Sequence, residues 1–154
     1  IGIKKKHWVA VIYVALAIAF GFFINDTVQR DKRYFQVSRP QQLMTNVAGY
    51  MKENGLDQYK IIYYDPYLAF KLYLDPRDAS KSKKRLPVRE NFLSSEPDSS
   101  IIVWDAHFGP NEGRMPLERL EKQPDLKKLK VFKPEKPFKV LGGYEYQVVI
   151  FQKQ

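Results

Sequence analysis

Cysteine is absent from the sequence. That excludes a disulfide framework and any metal held by thiolates. Histidine occurs twice, as His7 and His107, so a cluster of three imidazoles is also excluded. No G-x-S-x-G elbow, phosphate-binding glycine loop or dinucleotide fingerprint is present. Nucleophilic serine chemistry and nucleotide binding by those routes therefore have no carrier. Acidic residues are in deficit, giving a formal net charge of +9. The excess is spread along the chain: residues 1–33 hold six Lys/Arg against two Asp, and residues 34–154 hold twenty against fifteen. With no RNP-like aromatic motif, zinc-finger spacing or recognition helix beside it, this charge does not read as a nucleic-acid interface. No internal repeat is found.

What the chain does have is one long apolar run. WVAVIYVALAIAFGFFI, Trp8 to Ile24, is seventeen residues without a charge. At about 1.5 Å per residue it approaches the roughly 30 Å of a bilayer's hydrocarbon layer. Trp8 and Tyr13 suit one interface, with Phe20, Phe22 and Phe23 near the other. Lys4, Lys5 and Lys6 precede the run and Asn25 and Asp26 follow it, so the positive-inside tendency puts the N-terminal side in the cytoplasm. Ala17-Ile18-Ala19 also fits a signal-peptidase site. The run continues past it to Ile24, however, where a mature polar N-terminus would begin. The expected layout is a cytoplasmic flank at 1–7, a transmembrane helix at 8–24, a connecting segment at 25–37 and an extracytoplasmic domain at 38–154. The chain opens on Ile rather than Met, which reads as a fragment or a trimmed product.

The outer domain reads as α/β (α+β), a small mixed sheet with packed helices. Ser38-Arg39-Pro40 opens a helix carrying Leu43, Val47, Tyr50 and Met51 on one face, and Asn54-Gly55 ends it. Lys60 to Asp65 is a short buried strand stopped by Pro66. Tyr67 to Leu74 reads as a second helix ended by Asp75-Pro76. Arg77 to Ser99, rich in Ser, Lys, Arg and Pro, is the least ordered-looking stretch. Ser100 to Asp105 is a second buried strand, Leu117 to Lys122 a short helix, and Leu129 to Phe132 a further strand. Gly142-Gly143 turns the chain into a final strand, Tyr144 to Gln152. There Tyr146, Val148 and Ile150 alternate with Glu145, Gln147, Val149 and Phe151.

Three groups of residues compete as sites. The first is the loop VWDAHFGPNEGRMP, Val103 to Pro116. Asp105 and His107 sit at a strand end with Glu112 close behind, a position where α/β sheets commonly bind ligands, and His with two carboxylates can hold a divalent cation. Asp105 can equally accept backbone N–H bonds in a turn, with Gly109, Pro110, Asn111 and Gly113 as turn residues. A loop whose Asn111, Glu112 and Arg114 face a substrate or partner is the third alternative. The second group is Lys81, Lys83, Lys84 and Arg85, either a solvated loop or a contact for anionic lipid headgroups or a lipid-phosphate donor. The third is Tyr63, Tyr64, Tyr67, Phe70 and Tyr73, either core or a stacking surface for sugar rings.

The segments RPQQLMTNVAGYMKENGLDQYKIIYYDP and SSIIVWDAHFGPNEGRMPLERL, placed after a span with cytoplasmic lysines, carry a resemblance. In layout the chain resembles the C-terminal part of GT-C-fold polytopic membrane glycosyltransferases, of the dolichyl-phosphate-mannose protein mannosyltransferase type. The resemblance implies sugar transfer from a polyprenyl-phosphate-linked donor to a glycan or protein acceptor on the outer membrane face. In that family the catalytic acid lies in the first extracytoplasmic loop, which this chain does not contain, so no catalytic residue carries over and no cofactor is expected. A single-span anchored binding domain, or a secreted binding domain released after signal cleavage, are the alternatives from other classes.

Overall fold

The computed structural model describes Gly2–Tyr34 and residues 37–154, with side chains placed for 8–30 and 37–154. The lysines at 4–6, on which the expected orientation rests, lie outside the residues with described side chains. The chain divides into two units, Ile1–Val37 and Ser38–Gln154.

The first unit is one helix, α1, Gly2–Tyr34. It is longer than the expected span because nothing after Ile24 breaks it. Asp26 and Arg30 pair across one turn at 2.8 Å, and Thr27 Oγ1 donates to the Phe23 carbonyl. Trp8–Arg30 is long and apolar enough to cross a membrane, and none of it is buried. Trp8, Phe22 and Phe23 are each about 70% exposed. Against water, so much uncovered apolar surface is unfavourable at roughly 25 cal/mol per Å². Lipid removes that cost.

The second unit opens with α2, Arg39–Glu53. Ser38 caps it in a reciprocal box: the Gln41 N–H donates to Ser38 Oγ, and the Ser38 N–H donates to Gln41 Oε1 at 3.0 Å. Such a cap contributes about 1 kcal/mol, and Pro40 presets the first turn. Leu43, Met44, Val47, Ala48 and Met51 form its buried stripe. Gly55, at φ +66°, takes the left-handed conformation that ends the segment. The remaining elements are β1 (Ile61–Tyr63), α3 (Pro66–Leu72), β2 (Ser82–Lys84), β3 (Ile101–Asp105), α4 (Leu117–Glu121), β4 (Leu126–Phe132) and β5 (Val148–Lys153).

These strands make one mixed sheet in the order β2-β1-β3-β5-β4. β1 runs parallel to β2 and β3, while β5 runs antiparallel to β3 and β4. Alternation decides what each face carries. Ile61, Tyr63, Ile101, Val103, Tyr146, Val148 and Ile150 pack with α2 and α3. Ile62, Tyr64, Ile102, Trp104, Val149 and Phe151 pack with Leu86, Phe92, Met115 and Leu120 on the other face. The α/β reading holds, and so does the alternation of the last strand over Val148 to Phe151, although that strand starts at Val148 rather than Tyr144.

Several details differ from expectation: β4 starts earlier, at Leu126, and others concern α3, the stretch 77–99 and the aromatic group. α3 stops at Leu72 because Tyr73 turns left-handed, at φ +56°, and its N–H caps the helix. The stretch 77–99 is not structureless, since β2 lies within it. A three-residue strand with one buried side chain, Ser82, leaves no periodic pattern to find. The aromatic group also splits. Tyr63 and Tyr64 are core, whereas Phe70 and Tyr73 are 68% and 85% exposed.

Candidate functional site at the ends of β1 and β3

The chain leaves β1 to one side to form β2, then returns to the other side of β1 as β3. The carboxyl ends of β1 and β3 are thus the topological switch point, the place where α/β sheets commonly bind ligands. Tyr63 pairs with Val103. Two residues further along each segment stand Asp105, the last residue of β3, and Asp65, just past β1 at the cap of α3, close enough for one charge to act on the other. The two segments read alike, Ile-Ile-Tyr-Tyr-Asp and Ile-Ile-Val-Trp-Asp.

The two carboxylates are used differently. Asp65 caps α3, its Oδ1 accepting the Tyr67 N–H at 2.8 Å. Burial pushes its pKa up, opposed by that N–H and by His107. Asp105 is 1% exposed. Its Oδ1 accepts the N–H groups of His107 and Phe108 at 2.9 and 2.8 Å, while Oδ2 has no hydrogen-bond partner among the described residues. Burial pushes the Asp105 carboxyl up to about 7, with the negative charges of Asp65 and Glu112 adding to it and the two N–H bonds opposing it. Tyr146, two residues before the Val148 that pairs with Asp105 at the start of β5, is 3% exposed and its hydroxyl also lacks a partner among the described residues. Burial raises its pKa, and the Asp105 and Asp65 charges raise it further. The result is two carboxyls and a phenol in a low-dielectric, buried setting at the ends of these strands. Such a group can hold a proton near neutrality.

The loop beyond is held tightly. The Gly109 N–H donates to the Asp105 carbonyl, the Gly113 N–H to Phe108, and the Met115 N–H to Gly109. Trp104 Nε1 donates to the Met115 carbonyl at 2.8 Å. A Cβ on Gly109 would meet the Trp104 ring, and one on Gly113 the Tyr64 ring, so neither position admits a side chain. Asn111 Nδ2 bonds the His107 and Leu141 carbonyls, at 2.6 and 3.0 Å, tying the loop to the 141–143 turn. The His107 ring lies edge-on to Phe108 with centroids 4.7 Å apart. Glu112 and Arg114 are exposed. The turn alternative therefore accounts for Asp105 Oδ1 and Asn111, while His107 and Glu112 lie near enough to act on the charges of Asp65 and Asp105. Among the described residues, no three His, Asp or Glu side chains converge as a metal site.

The basic stretch lies elsewhere. Lys81 Nζ donates to the Gln58 carbonyl, Lys83 pairs with Glu96, and Arg85 Nη1 donates to the Glu112 carbonyl. Among the described residues, Lys84 alone of the four has no such partner, and Lys81, Lys84 and Arg85 are exposed.

Protein-family models, curated proteins and solved structures offer no match to this chain.

Two residues of this site escape a reading of single motifs. Asp65 could have been found from the repeated aromatic-Asp strand ending. Tyr146 has no sequence signal beyond its place in the alternating strand.

Proposed function

We propose that this chain is the last span and the outer-face domain of a membrane glycosyltransferase that uses a polyprenyl-phosphate-linked sugar, with its N-terminal side in the cytoplasm. The domain shapes the acceptor side, and the catalytic residues lie outside this chain. The uncovered apolar helix carries the reading: Trp8–Arg30 fits lipid and no described residue covers it. The likeness of RPQQLMTNVAGYMKENGLDQYKIIYYDP and SSIIVWDAHFGPNEGRMPLERL to the C-terminal part of GT-C enzymes supplies the chemistry. The burial of Asp105 favours a supporting role over a catalytic one, because a general acid needs to reach its substrate. Beyond the strand ends, His107, Glu112 and Arg114 with exposed Leu141 and Tyr144 offer polar and aromatic contacts of the kind a glycan takes.

The second reading is a single-span anchored binding domain without activity. The self-contained core of Ser38–Gln154 favours it. Membranes expressing the gene with its upstream coding sequence separate the two when supplied with radiolabelled polyprenyl-phosphate sugars. The transferase reading expects label in an acceptor, lost when the chain is cut after Arg33. Transfer that survives the truncation, or no transfer from any such donor, would contradict it.

A further inference from the structure

A cleft of about 290 Å³ lies between the first turns of α2 and the segment that follows β4. Arg39, Gln42, Leu43 and Asn46 form one wall, and Lys133, Pro134, Glu135 and Lys136 the other. The lining carries three cations, one carboxylate and two side-chain amides, and of the amide residues Gln42 already has a partner. This cleft belongs wholly to the α/β unit. It contains none of the residues at the β1–β3 strand ends and none of the basic stretch 81–85.

The cations here differ from those of that stretch. Among the described residues, neither the Arg39 guanidinium nor the Lys133 and Lys136 ammonium groups have a hydrogen-bond or ion-pair partner, whereas Lys81, Lys83 and Arg85 all have one. Three positive charges against the single Glu135 carboxylate leave the concavity net positive, which favours a bound anion. A guanidinium with ammonium groups in one lining is a donor set that suits phosphate oxygens, the Arg bidentately and the Lys as point charges. The size is at the lower end for small-ligand pockets, about 300 Å³. Arg39 also follows Arg30, the end of the candidate span, by nine residues of chain. A lipid phosphate and a soluble one are both chemically suited.

We infer that the Arg39–Lys133–Lys136 cleft is a binding site for a phosphate-bearing anion. The inference stands on the cleft alone, and sugar transfer is not needed for it. Lysine acetylation of the full chain in nanodiscs, read residue by residue by mass spectrometry, tests it. One arm uses zwitterionic lipid alone, a second adds inorganic diphosphate, and a third dopes the bilayer with a polyprenyl phosphate. Lys133 and Lys136 should be shielded in at least one of the last two arms, while Lys84 and Lys127 react as before. Shielding by diphosphate identifies a soluble ligand, and shielding by the doped bilayer alone identifies a lipid headgroup. Arg39→Gln should raise the ligand needed for half-shielding about fivefold, the effect of one cation near an anionic group, and Lys84→Gln should leave it unchanged. Equal shielding of all four lysines, none in either arm, or no effect of Arg39→Gln would overturn the site. Binding is read directly, so a failure of sugar transfer and a failure of this site are separate results.

Discussion

Two buried carboxylates stand at opposite ends of the sheet, and their surroundings could hardly differ more. Glu96 lies near the starts of β1 and β3, its side chain fully buried between Lys60, 3.0 Å away, and Lys83. Burial alone would push its pKa up, but the two ammonium groups hold it below the ordinary carboxylate value. Asp105 lies at the far end of β3 with two backbone N–H groups and no cation, and its pKa rises to about 7. One end of the sheet is charge-compensated, although Glu96 Oε2 meets Lys60 as an ion pair and makes no hydrogen bond. The other keeps an unspent oxygen, an unspent phenol and a second carboxyl. Buried charge alone therefore does not mark a site; buried charge without compensation does.

Removing the compensation at Glu96 should have the largest effect. Lys60→Met with Lys83→Met strands a buried negative charge, and chemical denaturation should show a loss of about 3–5 kcal/mol. Equal stability of the double variant would mean that the two ends are not so different.

The pH dependence comes next. Asp105 binds its proton more tightly when folded than at its ordinary value of 3.8, so its contribution favours low pH and is lost as pH rises from about 4 to about 7. Glu96 has the opposite sign: its contribution is present above its ordinary value of 4.5 and is lost as pH falls below it. Stability should therefore peak on the acid side of neutrality. Asp105→Asn keeps an acceptor for the His107 and Phe108 N–H groups, and should flatten the fall above pH 5. At about 1.4 kcal/mol per pKa unit, that fall is on the order of 4 kcal/mol at most. An unchanged profile in Asp105→Asn would place the titrating group elsewhere.

Gly109→Ala separates loop geometry from charge. Its Cβ would meet the Trp104 ring and come within 2.6 Å of the Asp105 carbonyl oxygen. A loss of about 1–3 kcal/mol is expected from overpacking, with the pH profile keeping its shape. Lys84→Gln is the smallest change. This exposed side chain has no ion-pair partner among the described residues, and its melting curve should stay within about 0.5 kcal/mol of the parent.

Much of this was legible in the sequence. The apolar run, the capped α2 and the alternating β5 each carry their own periodicity, and hydrophobic spacing locates them without help from the rest of the fold. β2 was hidden because its three residues carry one buried side chain and are held by pairing with β1, twenty-one residues earlier in the chain. Lys81, Lys83, Lys84 and Arg85 read as one basic patch, yet three of them are spent on partners between 58 and 112, which local sequence cannot reveal. Conversely Arg39, Lys133 and Lys136 lie far apart in sequence and meet only in the fold. Asp105 was recognisable as a strand-end acid, but its companions Asp65 and Tyr146 needed the register of three strands to join it.

The contrast between the two carboxylates is tested most directly by carbon-13 NMR titration of their side-chain carboxyls in the full chain, assigned through Asp105→Asn and Glu96→Gln. Asp105 should titrate with a midpoint near 7, and Glu96 below the ordinary range for glutamate. Ordinary midpoints near 4 for both would contradict the account.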